Sequence, residues 1–151
     1  MAKKYYIAYG SNLNTQQMFY RCPTAEVVGT GYITGYELLF KGSKTGAYLT
    51  IEPHPLGRVP VAVWSVEPAD ERALDRYEGF PTFYYKRNFD LTIKTLKGRK
   101  KNLTGFAYIM HEDRPTGNPT KSYVNVCLAG YKEFDFNPNF LTYAIERSNE
   151  I

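Results

Sequence analysis

Residues 6–14 read YIAYGSNLN, and how that stretch is taken decides the fold. The run KKYYIAY over residues 3–9 is short, apolar and aromatic, which suits a largely buried strand. It stops at Gly10-Ser11-Asn12, residue types that accept turn geometry and offer hydrogen bonds. Asn14 or Thr15 can then cap a short helix, TQQMFYRC, which Pro23 terminates. A strand that hands over to a helix through Gly-Ser-Asn has two readings. It is a plain turn, or its consecutive backbone N–H groups form a nest for an anion. The loop lacks the GK[ST] ending of a nucleotide-binding P-loop and the GxSxG spacing of a serine-hydrolase elbow. On these residues alone, turn and anion nest both stay open.

Outward from this stretch, a β pattern begins at Glu26 with EVVGTGYITGYELLF, where Gly29, Gly31 and Gly35 suit the bulges and bends of a closed barrel. GAYLTIEP and VPVAVWSVEP continue as strands up to Pro68. There the period turns helical. Pro68 fits a first turn, Asp70 and Glu71 favour its positive end, and Gly79 stops it. FYYKRNFDLTIKTL and NLTGFAYIM then read as two strands joined by a KGRK turn. After a Pro/Gly/Asn loop at 112–119, Tyr123, Val124, Cys127, Leu128 and Tyr131 fall at helical spacing, and a last short helix runs from near Pro138 to Arg147. The sum is an α+β chain with a strand-rich, strongly bent core.

Composition narrows the class. The 151 residues read most simply as one domain, 1–151, with an ordinary 43% apolar and 23% charged share. Fourteen tyrosines and nine phenylalanines are less ordinary, and tyrosine suits a barrel interior or a polar-bottomed pocket. No apolar run reaches membrane-spanning length and no signal-peptide core follows MAKK, so a cytoplasmic protein is expected. Cys22 and Cys127 stand alone and read as buried free thiols; His54 and His111 lack ligand spacing, so a metal site is not expected. Much of the net charge of +4 sits in Lys94, Lys97, Arg99, Lys100 and Lys101 around Gly98, the pattern of a solvated hairpin tip.

Glu78 ends the predicted helix one residue before Gly79. A carboxylate is disfavoured there, because a helix C-terminus carries partial negative charge. On the surface that costs a few tenths of a kcal/mol at most. Turned into a tyrosine-lined cavity, the same residue has its pKa raised by burial and dipole together, which is what a general acid/base near neutral pH requires. Tyr84 and Tyr85 are neighbours on a predicted strand, so one faces inward and the other outward. Packing is the ordinary role of either, and of Tyr123.

Taken in order, these pieces resemble the gamma-glutamylcyclotransferase-like family from residue 5 to about 145. They are Tyr9-Gly10-Ser11-Asn12-Leu13, then Leu74-Asp75-Arg76-Tyr77-Glu78-Gly79, then Tyr85, then Pro119, Tyr123, Cys127 and Gly130. The resemblance implies a small closed, mostly antiparallel β-barrel with three or four flanking helices and a cavity at one mouth. It implies an enzyme that releases 5-oxoproline from a γ-glutamyl amino acid or amine, without metal or organic cofactor. The substrate's α-amino group attacks its own γ-carbonyl and expels the amine. Glu78 is then the acid/base, and Gly10, Ser11, Asn12 and Leu13 hold the glutamyl moiety, with its α-carboxylate as the bound anion. Tyr9 and Tyr85 line the pocket and donate hydroxyls, and Tyr123 joins them. Asn12 resembles the γ-glutamyl amino acid or amine type more than the glutathione-degrading ChaC type, whose loop reads YGSL.

The implied partner is a small γ-glutamyl molecule; neither nucleic acid nor membrane is expected, and a homodimer is permitted without being specified. Two readings of another class stay open beside this one. The barrel could bind a small carboxylate without catalysis, or bind single-stranded nucleic acid through aromatic and Lys/Arg contacts. What separates them is whether Glu78 faces the loop at 10–13 across a cavity.

Overall fold

β1 (Lys4–Ala8) is paired on both edges, which is why so short an apolar run is buried. Its residues Lys4–Ala8 lie antiparallel to Val66–Ala62 of β3 (Tyr48–Val66), and Tyr6 pairs in parallel with Phe106 of β5 (Lys100–Met110). β2 (Glu26–Lys41) and β4 (Tyr84–Thr95) complete a closed barrel in the order β1-β3-β2-β4-β5. The computed structural model describes residues 3–151, and four helices flank the barrel. These are α1 (Thr15–Arg21), α2 (Pro68–Glu78), α3 (Lys121–Glu133) and α4 (Asn139–Glu150). The α+β barrel expected from the sequence is the one observed. Among the described residues no helix is long and apolar enough to cross a membrane.

The two strands expected over 46–53 and 59–68 are one. β3 pairs with β2 along its length, with register shifts at Val27/Gly29 and Thr34/Tyr36 that bend the hairpin around the barrel. Pro53, Pro55 and Pro60 interrupt the pattern in sequence but not in space. Pro53 and Pro60 pair with β2 before β1 pairing begins, so a missing N–H can face the unpaired edge, and Pro55 lies in the irregular segment at the Thr34/Tyr36 shift.

Ile7, Ile51, Val61, Val63, Ile93 and Ile109 fill the core with essentially no exposure. Each buried aliphatic of this size contributes ~1.5–3 kcal/mol. Exposed ion pairs such as Lys3–Glu26 are worth about 0–1 kcal/mol, so the packed interior holds the fold. α4 covers the edge of β2: Phe40 N donates to Ser148 Oγ at 2.8 Å and Arg147 Nε to Glu37 Oε1 at 2.9 Å. The basic KGRK turn is the β4–β5 tip.

Candidate functional site

One mouth of the barrel is built from two sides. From β1, the chain leaves Ala8 and closes a single 3-10 turn, Ser11–Leu13, with Leu13 N donating to Gly10 O at 3.0 Å and Asn14 N to Ser11 O at 3.0 Å. The amides of Ser11 and Asn12 precede these bonds, so the turn does not consume them. Asn14 caps α1 by accepting from Gln17 N at 3.1 Å and reaches α3 by donating to Val126 O at 3.3 Å. Leu13 is fully buried against α3, where Gly130 leaves no room for a side chain: a Cβ there would sit 2.4 Å from the Leu13 carbonyl carbon. The loop is thus wedged from both sides.

From the opposite side comes α2. Pro68 opens it, and Asp70 Oδ2 accepts from Glu67 N at 2.9 Å and from Thr24 Oγ1 at 2.7 Å. Gly79 ends it in the left-handed region, φ 65°, with Phe80 N bonded to Asp75 O at 2.9 Å. Asp75 pins this last turn to the barrel by accepting from Tyr108 Oη at 2.6 Å and pairing with Lys86 Nζ at 2.9 Å. Glu78, on the same turn, looks into an inner pouch of about 20 Å³, room for roughly one water. Its walls are Gly10, Ser11 and Asn12 with Tyr6, Tyr9, Tyr84, Tyr108, Tyr123 and Leu49. Outside it lies a vestibule of about 180 Å³ walled by Tyr48, Tyr77 and Phe83, and shared by Ser11, Glu78, Tyr84 and Tyr123.

Burial pushes the Glu78 carboxyl up from its ordinary 4.5 to about 8, against the opposing pull of the Arg21 guanidinium. At pH 7 about one molecule in ten then carries the carboxylate. The tyrosines around it stay neutral: burial raises the hydroxyls of Tyr6, Tyr9, Tyr84 and Tyr123, and the Glu78 charge adds to the effect. Their protons are already partly assigned. Tyr9 Oη donates to Tyr108 O at 2.5 Å and Tyr84 Oη to Leu49 O at 2.8 Å, so both turn acceptor lone pairs toward the pouch. Tyr123 Oη instead accepts from Leu49 N at 3.2 Å and keeps its proton to give.

Of the site residues expected from sequence, Glu78, Tyr9, Gly10, Ser11, Asn12 and Tyr123 come together here. Two are placed otherwise. Leu13 supports the loop from below and does not line the pouch. Tyr85 points out of the barrel, packs at a tilt against the His111 ring with centroids 5.1 Å apart and donates to Glu112 Oε2 at 2.5 Å. Its neighbour Tyr84, 6% exposed, takes the inward place. The hydroxyl expected to donate from Tyr9 is committed to a backbone carbonyl. Tyr6, Tyr108 and Arg21 carry no signal in the local sequence, because strand parity and helix docking, which no local spacing reveals, bring them in.

A larger hollow of about 960 Å³ lies elsewhere, where β2 and β4 part after pairing only through Gly29–Gly31 and Ile93–Thr95. The charged residues on it, Asp90, Lys94, Lys100 and Asp135, are all exposed. Nothing there is desolvated, so the smaller cavity is the chemical candidate. Cys22 and Cys127 are buried, and burial pushes their thiols up to about 11 and about 12, which leaves them without nucleophilic thiolate. Among the described residues no group of three His, Cys, Asp or Glu side chains could hold a metal ion. The nucleic-acid reading needs exposed tyrosines beside the basic tip, and the strand tyrosines Tyr6, Tyr84 and Tyr108 are buried in the barrel.

Residues 6–125 match the family model described as gamma-glutamyl cyclotransferase, AIG2-like. The gamma-glutamylcyclotransferase of Bos taurus is 29% identical over 135 residues, covering 85% of this chain and 70% of that protein. The gamma-glutamylcyclotransferase of Homo sapiens is 29% identical over 137 residues, with the same coverage. A solved structure of a gamma-glutamyl cyclotransferase superposes with a TM-score of 0.75 at 25% identity, over 99% of this chain and 88% of that one.

Proposed function

The chain belongs to the gamma-glutamyl cyclotransferase, AIG2-like family of enzymes, and from that premise we propose that it releases 5-oxoproline from a γ-glutamyl amino acid or γ-glutamyl amine. The observation that carries this reading is the opposition of Glu78 to the Gly10–Asn12 loop across a pouch of buried tyrosines. The Ser11 and Asn12 amides receive the substrate's α-carboxylate. The acceptor oxygens of Tyr9 and Tyr84 and the carboxylate of Glu78 face its α-ammonium.

Glu78 takes one proton from that ammonium. A free α-amino group titrates at roughly 7.7–8.0, beside about 8 for Glu78, so the transfer is close to thermoneutral. The freed amine attacks the γ-carbonyl carbon, Glu78 gives its proton to the departing nitrogen as the C–N bond breaks, and the restored carboxylate takes the second proton from the ring nitrogen and passes it to the released amine. Products are 5-oxoproline and the amine, with Glu78 regenerated. The Tyr123 hydroxyl is a donor for the oxygen that gains charge during attack. Because nucleophile and electrophile share one molecule, the vestibule and the pouch together act mainly by folding the glutamyl chain into reactive geometry. The chain works as a single domain over 1–151 in this reading.

The test is to incubate the protein with a panel of γ-glutamyl amino acids and alkylamines and to quantify 5-oxoproline. Release that disappears in Glu78→Gln while the fold is kept supports the reading. Release by no member of the panel, or full activity in Glu78→Gln, sinks it.

A further inference from the structure

Arg21 lies outside the pouch, yet it touches both of its halves. Nη1 donates to Asn12 Oδ1 at 2.5 Å, in the loop, and the guanidinium lies flat on the Tyr77 ring, 3.4 Å from its centroid, one residue before Glu78. Nη2 donates to Gln17 Oε1 at 2.6 Å, which fixes the fork to α1. The circuit closes twice more. Ser11 Oγ and Tyr77 Oη share a hydrogen bond of 2.9 Å, and Asn12 Nδ2 donates to Tyr6 Oη at 2.9 Å. With Oδ1 held by Arg21 and Nδ2 by Tyr6, the Asn12 amide has one orientation available.

The charge is as informative as the contacts. Among the described residues Arg21 has no carboxylate within ion-pair distance. The titratable groups that face Glu78 from β1 and the residue after it, β4, β5 and α3 are the tyrosines 6, 9, 84, 108 and 123, all held neutral by burial. Arg21, from α1, is the opposing cation: it alone pulls the Glu78 proton affinity down.

We propose that Arg21 is the positioning residue of this site: its guanidinium clamps the loop, through Asn12, to the last turn of α2, through Tyr77, and keeps a positive charge behind the acid/base. This rests on the cyclotransferase reading for its kinetic consequences but not for its structural ones. Without the clamp the Asn12 amide can rotate and the two halves can separate. Without the charge Glu78 holds its proton more tightly, and less carboxylate is present to accept one from the substrate.

Two variants separate clamp from charge. Arg21→Gln removes both. Arg21→Lys keeps the charge but cannot lie flat on Tyr77 while reaching both acceptors. The carboxyl carbon of Glu78, followed by NMR in ¹³C-glutamate-labelled protein and assigned with Glu78→Gln, reports its titration without substrate. The midpoint should rise in Arg21→Gln and stay near wild type in Arg21→Lys. With a substrate the wild type turns over, kcat/KM should fall roughly tenfold in Arg21→Gln, and its acid limb should follow the Glu78 midpoint upward. Arg21→Lys should lose several-fold in kcat/KM with the limb unmoved. An unchanged Glu78 midpoint in Arg21→Gln, or an unchanged kcat/KM in Arg21→Lys, overturns the proposal. Should Arg21→Gln not fold, Tyr77→Leu replaces it, with Tyr77→Phe as the control that loses only the Ser11 hydrogen bond: kcat/KM no lower in Tyr77→Leu than in Tyr77→Phe overturns the clamp. If the wild type releases no 5-oxoproline from any γ-glutamyl compound, the functional reading fails, while the NMR titration still judges Arg21.

Discussion

Two concave regions of the molecule differ in kind. The cleft where β2 and β4 part is about 960 Å³ and open; the pouch and vestibule at the other region are about 20 and 180 Å³. The cleft carries exposed charges of both signs, Asp90 and Asp135 with Lys94 and Lys100, each open to solvent. The pouch sets one carboxyl against loop amides inside a ring of neutral tyrosines. Removing water from Glu78 changes its chemistry in a way that no amount of open volume does for Asp90. Size measures where something fits; desolvation measures where a proton can be moved.

The comparison breaks most readily at Glu78. Glu78→Gln should lower kcat by roughly 10²–10⁴, read as 5-oxoproline release, and an active variant would erase the distinction between the regions. The same substitution should stabilise the protein, with a definite pH dependence. The native carboxyl titrates near 8 and the unfolded one near 4.5, so between these values the native state binds more protons than the unfolded state. Stability conferred by the protonated form is complete below about pH 4.5 and is lost as pH rises through 8. Thermal unfolding should therefore show wild type falling behind Glu78→Gln by a few kcal/mol from about pH 5 to about pH 9. Parallel curves would mean that Glu78 is not desolvated.

Gly130→Ala comes next. Its Cβ meets the Leu13 carbonyl carbon, so backbone has to move. We expect a loss of about 1–3 kcal/mol in denaturant melts and a larger proportional loss of kcat/KM, because the loop holds the substrate. Activity kept at wild-type level would show that the loop tolerates displacement. Tyr84→Phe deletes a buried hydrogen bond to Leu49 O and should cost about 1 kcal/mol together with several-fold in kcat/KM. Tyr85→Phe, facing out toward Glu112, should change kcat/KM by less than about twofold. Reversal of these two effects would mean that β4 has the opposite parity. The smallest effect belongs to the cleft. Lys94→Ala with Lys100→Ala should leave kcat/KM unchanged within error, and a marked loss would give the open cleft a part in the reaction.

The pair Tyr84 and Tyr85 shows where local reading stops. Alternation along a strand says that one of them is inside, but the choice is a matter of register with β5, where Tyr84 faces Met110 and Tyr85 faces Ile109. Spacing from Glu78 points to Tyr85, whereas the sheet turns Tyr84 inward. Arg21 shows the same limit for charge. In sequence it is the last cation of a short helix, and only the docking of α1 beside α2 lays it on Tyr77.

By itself the sequence determined the elements that depend on neighbours along the chain. Asn14 caps α1, Pro68 opens α2, Gly79 stops it, and Gly-Ser-Asn ends β1, because capping, proline geometry and left-handed stops act within a few residues. It also carried the ordered YGSNL and LDRYEG pair by which the family was recognisable. Tertiary structure alone decided that residues some 65 apart face each other, that β3 runs unbroken through its prolines, and which tyrosine protons remain free. Those outcomes depend on strand register and on which groups lose their water, and both are properties of the closed barrel.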